Sequence, residues 1–229
     1  MEGIIGTAEG NIHYINFMDK VMVKLVSRVA PVMEPINCIK YDTTNPQVFL
    51  TTCGLTNGDV KLYTSVTVDQ IVSFPQYTLG PVKFITTTPL KNRGRVRIIG
   101  HEKGILKFID ITNLKVVGIY QVALDEGETL TCGAFNNTGH NFAIGTSHGS
   151  VFLGYHKKDS FNRHNTFLSR ITTVSKTTEN AVTSVELSQF TPIGYLLVSF
   201  DDGMVRLWQS NIKHEQFMKL MEMRGMNKV

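Results

Sequence analysis

The chain has 229 residues, of which 42% are hydrophobic and 18% are charged, with a formal net charge of +4. A chain of this length can bury a sizeable core, and its weak positive charge does not by itself indicate a nucleic-acid partner. It contains no run of about 18 or more apolar residues, and its N-terminus lacks the basic and apolar regions of a signal peptide. We therefore expect no membrane partner.

The three cysteines favour a reducing compartment. Cys38, Cys53 and Cys132 are odd in number, lie far apart and form no CxxC pair. This spacing indicates neither a disulfide framework nor a zinc site. We therefore expect a cytoplasmic protein.

A glycine-centred unit occurs five times along the chain. In each unit an aliphatic residue stands two positions after the glycine, and a larger apolar residue stands four positions after it. The intervals are 48, 46, 45 and 54 residues, close to the period of roughly 40–45 expected of four-stranded repeats. Each glycine is expected to take a positive φ in a tight hairpin. The glycines are Gly10, Gly58, Gly104, Gly149 and Gly203.

Short apolar segments flank these glycines in a fixed order, which we label strands a, b, c and d. Strand b precedes the glycine, as in GIIGTA or FAIGTS, and strand c follows it. Four units have a strand a upstream, as in INCIKY, and four have a strand d downstream, as in LSRITTV. Alternate residues of strand c share one face and are expected to be buried between units. These residues are Val60, Leu62, Leu106, Phe108, Val151, Leu153, Val205 and Leu207.

The last unit, LLVSFDDGMVRLWQ, resembles the WD-repeat family, in which a DG-x-V-R-L-W-like core is a frequent form of the signature. Ile109 and Asp110 stand where the third unit would carry the Trp-Asp pair. The other repeats are degenerate at that pair and lack most of the typical Gly-His dipeptides. The resemblance covers residues 1–210 and implies an all-β WD-repeat β-propeller, with about four and a half blades visible as part of a larger propeller.

The opening GIIGTAEGNIHYIN and the relaxed units after it look like the repeat arrays of large cilia- and flagella-associated WD-repeat proteins. Those proteins decorate axonemal or centriolar microtubules. The resemblance implies a non-catalytic interaction scaffold in the cytoskeleton of a cilium or flagellum, with tubulin or axonemal subunits as partners. A subunit of an RNP or chromatin complex is the alternative, and a propeller enzyme is a third hypothesis.

The sequence predicts eighteen strands, because the first unit lacks strand a and the fifth lacks strand d. Both ends of the array are therefore expected to be open. Either the chain is the C-terminal part of a longer propeller, which we prefer, or further blades of other chains cover its ends. Residues 211–229 are expected to form a helical tail, in which His214 to Arg224 carries Phe217, Leu220 and Met221 on one face and ends at Gly225.

No catalytic residue, metal or cofactor is expected. The seven histidines form no HExxH or similar spacing, and neither a GxSxG elbow nor a GxxxxGK[ST] loop is present. The segments GTAEGN and GTSHGS resemble glycine-rich loops, but each leads into a strand, so no helix N-terminus is available for a phosphate. The sequence therefore predicts a protein that is not an enzyme.

Two basic loops are the candidate partner-binding segments. Each is interpreted either as a solvated loop or as a contact with an acidic surface, such as tubulin or nucleic acid. Phe161 is the only aromatic residue among them, so a base-stacking platform for nucleic acid is not favoured. The first loop holds Lys91, Arg93, Arg95 and Arg97, and the second holds Lys157, Lys158 and Arg163.

Overall fold

A computed structural model describes most of the chain, and every regular element in the part it describes is a β-strand. The chain forms two compact units, Met1–Ile85 and Thr86–Val229. The described residues are 2–16, 25–28, 34–42, 50–64, 70–75, 79–87, 96–136, 139, 141–156, 168–176, 180–188, 193–211 and 216–224.

The strands form five sheets, in which each strand lies beside the next one along the chain. Sheet 1 has three strands, β1 (Glu2–Gly6), β2 (Asn11–Asn16) and β3 (Leu25–Arg28). Sheet 2 comprises β4 (Ile36–Asp42), β5 (Leu50–Leu55), β6 (Val60–Thr64) and β7 (Gln70–Phe74). Sheet 3 comprises β8 (Val82–Thr87), β9 (Val96–His101), β10 (Ile105–Asp110) and β11 (Lys115–Gln121).

The last two sheets also have four strands each. Sheet 4 comprises β12 (Leu130–Phe135), β13 (Asn141–Thr146), β14 (Val151–His156) and β15 (Leu168–Ser175). Sheet 5 comprises β16 (Val182–Leu187), β17 (Ile193–Phe200), β18 (Met204–Asn211) and β19 (Gln216–Arg224). The predicted order a, b, c, d is therefore confirmed in sheets 2 to 5, and sheet 1 contains only the equivalents of b, c and d among its described residues.

The five predicted glycine turns are confirmed. In each, the glycine N–H donates to the carbonyl three residues earlier, which closes a tight turn between strands b and c. A side chain at such a position would be strained, because positive φ is open mainly to glycine. The φ angles are 79° at Gly10, 90° at Gly58, 86° at Gly104, 79° at Gly149 and 80° at Gly203.

Within residues 1–85, the aliphatic residue that begins strand a of one sheet packs against a glycine in strand b of the preceding sheet. A Cβ added to Gly6 would lie 2.7 Å from Cγ2 of Ile36, and one added to Gly54 would collide with Val82. The Ile36 N–H also donates to the Thr7 carbonyl at 3.1 Å. The glycines therefore allow neighbouring sheets to approach closely.

The same packing occurs within residues 86–229, between sheets 4 and 5. A Cβ on Gly145 would lie 2.6 Å from Cβ of Val182, the first residue of β16. The Thr131 hydroxyl donates to the Val182 carbonyl at 2.6 Å, which joins the first strands of the two sheets. Around this contact lies a core of Ala143, Val151, Leu153, Val182, Val185, Leu196, Val198, Phe200 and Met204.

The burial prediction holds for six of its eight residues. Val60, Leu62, Leu106, Phe108 and Val151 are fully buried, and Leu153 is 5% exposed. Val205 and Leu207, however, are only partly buried. The prediction is wrong for these two because they lie on the face of sheet 5 that points away from the core it shares with sheet 4.

The predicted C-terminal helix is wrong. Residues 216–224 form strand β19, which pairs antiparallel with β18 from Asn211–Gln216 to Met204–Arg224. Phe217 packs against the core of sheet 5, and Glu222 accepts from the Arg206 guanidinium at 2.9 Å. Sheet 5 therefore has its strand d, formed by the described residues 216–224 of the predicted tail, while the predicted stop at Gly225 lies outside the described residues.

The helix propensity of this segment is outweighed by pairing. Met, Leu, Lys and Glu are strong helix formers, but propensities amount to less than about 1 kcal/mol per residue. A β18 without a neighbour would expose a row of backbone donors and acceptors. In the strand, Phe217 pairs with Ser210 and Met221 pairs with Leu207, so residues predicted to share a helix face lie on opposite faces of the sheet.

Replacing Phe108 by Ala should lower the free energy of unfolding by about 3–5 kcal/mol, because the ring is fully buried. It makes edge-to-face contacts with Tyr120 at 5.4 Å and with Phe142 at 6.1 Å between ring centroids. Urea unfolding measures the change. The control is Ile119→Ala in the same sheet, where the side chain is 57% exposed and the loss should be small. A loss below about 1 kcal/mol for Phe108→Ala would show that this side chain is not core.

Gly145→Ala should destabilise the chain by about 1–3 kcal/mol, because the added methyl overlaps Val182. Ser199 occupies the matching position in sheet 5 and is partly exposed, and Ser199→Ala should change stability by less than about 0.5 kcal/mol. Thermal and urea unfolding of both variants test the pair. Equal losses would mean that the close approach of sheets 4 and 5 is not what requires the glycine.

Candidate functional site

The antiparallel order of the strands separates the connections of each sheet onto two edges. The b–c turns and the links from one sheet to the next lie at one edge, which we call the turn edge. The a–b and c–d connections join strand ends at the other, which we call the loop edge. Among residues 86–229, the turn edge carries residues 102–104, 122–129, 147–149 and 201–203.

A buried carboxylate organises the turn edge of sheet 4. The Thr146 hydroxyl donates to Oε1 of Glu128 at 2.5 Å, and the Asp125 N–H donates to Oε2 at 2.9 Å. Thr146 in turn accepts from the Ser150 N–H at 3.0 Å. Burial acts to raise the pKa of Glu128, but the hydrogen bonds from Thr146 and Asp125 outweigh it and hold the pKa below its usual value. The carboxylate is therefore a structural acceptor that stays ionised.

Backbone hydrogen bonds attach the link between sheets 3 and 4 to this network. The Leu130 N–H donates to the Glu102 carbonyl at 3.1 Å, and the Ser147 N–H donates to the Thr129 carbonyl at 2.9 Å. Lys176 forms an ion pair with Asp125 at 2.6 Å, but both side chains are about half exposed. Such a surface pair contributes little to stability, so the backbone contacts and Glu128 fix the link.

Most of the predicted partner-binding residues lie outside the described part of the chain. These are Lys91, Arg93, Arg95, Lys157, Lys158 and Arg163. Arg97 is described, and its placement in a basic loop is wrong. It lies in β9 and its side chain is fully buried, as are all six residues of that strand. The reason is that strand b lies inside the sheet with both faces covered, so the guanidinium of Arg97 is buried together with its stem.

The strands that flank both basic segments end at the loop edge. Thr87 ends β8 and Val96 begins β9, so residues 88–95 connect these two ends. His156 ends β14 and Leu168 begins β15, so residues 157–167 do the same in sheet 4. The turn edge of residues 86–229 carries an excess of acidic residues, which are Glu102, Asp125, Glu126, Glu128, Asp201 and Asp202, against the basic Lys103 and Lys176.

The cysteines are free, and burial makes them poor nucleophiles. Burial raises the pKa of the Cys38 thiol to about 12 and also raises that of Cys132. Since the thiolate is the reactive form, neither is suited to covalent catalysis. In the described part of the chain no three His, Cys, Asp or Glu residues are grouped closely enough to hold a metal. Nor does any described helix have the length and apolar character needed to cross a membrane.

Comparison with known proteins identifies the fold. No model of a known protein family and no curated protein matches the chain. Among solved structures, a chain of the crystal structure of the mitotic checkpoint complex, which contains a WD40 propeller, superimposes with a TM-score of 0.68 at 13% identity. The match covers 97% of this chain and 60% of that one. The chain has the WD-repeat propeller fold.

This likeness is one of fold alone. Matches extend to 1314 chains of solved structures, so the architecture is too widely shared to specify a partner. The WD-repeat propeller generally serves as a non-catalytic scaffold for other proteins. The present chain spans 60% of the matched chain's length.

Sequence reasoning missed the Glu128 network. The sequence feature that could have indicated this network is the acidic stretch DEGE at 125–128, before strand a of sheet 4, where Asp125 and Glu128 stand three residues apart. Such a pattern is also found in ordinary solvated turns. Only the buried position of Glu128 against Thr146 distinguishes it.

Glu128→Gln should lower the free energy of unfolding by about 1–3 kcal/mol at pH 7, because a buried acceptor for two donors loses its charge. A carboxyl whose pKa is lowered by folding stabilises the native state above its unfolded pKa, and this stabilisation is lost as pH falls through the folded pKa. The difference between wild type and variant should therefore shrink below about pH 4. Urea unfolding between pH 7 and pH 3 measures it, with exposed Glu126→Gln as control. A difference that does not depend on pH would refute this account.

Proposed function

We propose that this chain is a non-catalytic scaffold of a cytoskeletal assembly, the axoneme of a cilium or flagellum, and that its loop edge binds an acidic surface of the microtubule. The observation that carries the proposal is the uneven distribution of charge between the turn edge and the loop edge of residues 86–229. Acidic residues outnumber Lys103 and Lys176 at the turn edge, while two segments rich in Lys and Arg connect strand ends at the loop edge, where Asp110 also lies.

Segregated charge favours one orientation of binding. A basic edge attracts an acidic partner, while an acidic edge on the other side repels it, so encounters that present the loop edge are selected. The six basic side chains are Lys91, Arg93, Arg95, Lys157, Lys158 and Arg163. Tubulin offers an acidic surface of the kind required, and the resemblance of the opening repeat to cilia- and flagella-associated WD-repeat proteins supports this choice.

The chemistry of the described residues supports a role without catalysis. The two thiols whose pKa is raised are held by burial in their unreactive form. The carboxylate of Glu128 is engaged by two donors, the Thr146 hydroxyl and the Asp125 N–H. We therefore propose that no cofactor is needed, that the protein acts in the cytoplasm, and that its loops are the functional parts.

Reversing the charge of Lys91, Arg93 and Arg95 together to Glu should weaken binding to microtubules at least about fivefold, because rim charges govern salt-sensitive encounter. Arg97 is left unchanged because it is buried. Co-sedimentation with purified microtubules at low and high ionic strength gives the affinities. The matched control is Lys103→Glu, which changes an exposed base on the turn edge.

Wild-type binding should fall with added salt and should also fall on microtubules from which the acidic tubulin tails have been removed. The same assay with single-stranded RNA tests the alternative of an RNP subunit. Binding to RNA but not to microtubules, or microtubule binding that the triple variant leaves unchanged at low salt, would contradict the proposal.

A further inference from the structure

Strand β19 is the edge strand of sheet 5, and it carries large apolar side chains that are exposed. Among the described strands it pairs only with β18, so its outer row of backbone donors and acceptors faces no described strand. Strand d ends every sheet of this chain, and the open side of β19 therefore does not depend on what precedes or follows the array. The exposed apolar residues are Met218 at 57%, Leu220 at 44%, Met221 at 49% and Met223 at 52%.

The other strands d are shorter and expose fewer apolar side chains. Strand β19 has nine residues, whereas β7 has five, β11 has seven and β15 has eight. Among their described side chains, β7 exposes Ile71 and β11 exposes Val116 and Ile119 as large apolar residues. Long apolar edges tend to pair with further strands, and proteins usually protect them with short strands or with charges. Of the described edges, β19 is therefore the best suited to pairing.

A bulge divides β19 into two halves. Leu207 of β18 pairs with Met221, and the next residue, Trp208, pairs with Lys219. Leu220 is therefore an extra residue with no partner in β18. Because side chains alternate between faces in a regular strand, one extra residue reverses the alternation beyond it.

The bulge sorts the charged and the apolar side chains of β19 onto different faces. Lys219 and Glu222 both lie on the face of Phe217, which packs against the core, and their charged groups are 2.8 Å apart. Glu222 also accepts from the Arg206 guanidinium at 2.9 Å. The opposite face of β19 carries Met218, Met221 and Met223.

These faces restrict how two copies of β19 can pair with each other. In an antiparallel pair related by a two-fold axis, residues opposite each other lie on the same face. A regular strand meets this condition only when one residue faces its own copy. With an extra residue at its centre, β19 meets it when Leu220 of each copy faces Met221 of the other. The same register places Lys219 opposite Glu222 and Met218 opposite Met223.

Charge selects this register over its neighbour. A slip of the two strands by one pair of residues also matches the faces, but it places Lys219 opposite Leu220 and Glu222 opposite Phe217. An ion that faces an apolar side chain loses hydration without gaining a partner. In the favoured register each lysine instead faces a glutamate, and opposite charges across a strand pair stabilise it.

We propose that two copies of this chain dimerise through antiparallel pairing of β19, with Lys219 of each copy opposite Glu222 of the other. The pairing satisfies the backbone groups of both edges and joins the two copies of sheet 5 into one continuous sheet. The exposed methionines form an apolar strip across the junction, where flexible thioethers adapt to one another. The contact lies on an edge strand, away from the loop edge, and does not rest on the microtubule proposal.

Sedimentation velocity of the 229-residue chain over a concentration series tests for the dimer. We expect a micromolar dissociation constant, because pairing of one strand buries less than the roughly 1,200 Å² of a stable interface. Lys219→Glu and Glu222→Lys each place like charges opposite each other in the dimer. Each variant alone should therefore weaken dimerisation at least about tenfold.

An equimolar mixture of the two charge variants separates pairing from misfolding. The glutamates of one chain then face the lysines of the other, so a heterodimer should form with a dissociation constant within about threefold of the wild-type value. A variant that had lost its fold could not be rescued in this way. The matched control is Lys115→Glu, which changes an exposed base on the edge strand β11 and should leave the dimer unchanged.

Disulfide cross-linking tests the register. Met218→Cys mixed with Met223→Cys should link the two chains under mild oxidation, because opposite residues of an antiparallel pair lie within reach of a disulfide. Either variant alone places its introduced thiols about 17 Å apart and should link at least about fivefold less. Met218→Cys mixed with Met221→Cys should also link less. Wild type, which retains Cys38, Cys53 and Cys132, gives the background.

A chain that stays monomeric at about 100 µM would overturn the proposal and leave this edge to a strand of another protein. A dimer that both charge variants leave intact, or that their mixture fails to restore, would place the contact elsewhere on the chain and overturn it as well. Preferred linkage of Met218→Cys to Met221→Cys would set Lys219 opposite Leu220, which contradicts the pairing of charges.

Discussion

The described packing between sheets depends on one contact, in which the aliphatic residue that begins strand a fills the space left by a glycine in the sheet before it. The contact joins Gly6 to Ile36, Gly54 to Val82 and Gly145 to Val182. Each of these sheets has only one or two apolar faces and cannot bury them alone, so its stability comes from its neighbours. Any larger residue at these glycines would hold the sheets apart and open the core between them.

Period-two alternation and the recurring glycine were sufficient to predict strands b and c, because both follow from local backbone geometry. Gly58 and Gly149 take the expected positive φ, and Leu62 and Phe108 are buried as predicted. What could not be predicted was set by the surroundings. Residues 216–224 have the composition of a helix, and only the unpaired edge of β18 makes them a strand. Val205 has the same local sequence context as Val151, and only the missing neighbour leaves it partly exposed.

The candidate site was harder to predict than the fold, because charge alone does not tell which side chains reach solvent. Arg97 was grouped with Lys91, Arg93 and Arg95 by spacing, yet it is the second residue of the buried strand that follows them. Glu128 was overlooked because one of its two donors, the Thr146 hydroxyl, is brought to it by the pairing of β12 with β13. In both cases the deciding factor was where a strand begins, and the ends of strands are the least certain feature of a sequence pattern.

Two thiols lie at junctions between neighbouring sheets. Cys132 lies beneath Val182, with its Sγ 3.9 Å from that residue's carbonyl, and Cys38 lies beside Gly54 where Val82 packs. Burial at these junctions raises the pKa of both thiols. Their rate of reaction with a thiol reagent is therefore a measure of how closely adjacent sheets are packed, because separation of the sheets would hydrate the thiols and return their pKa towards the usual value.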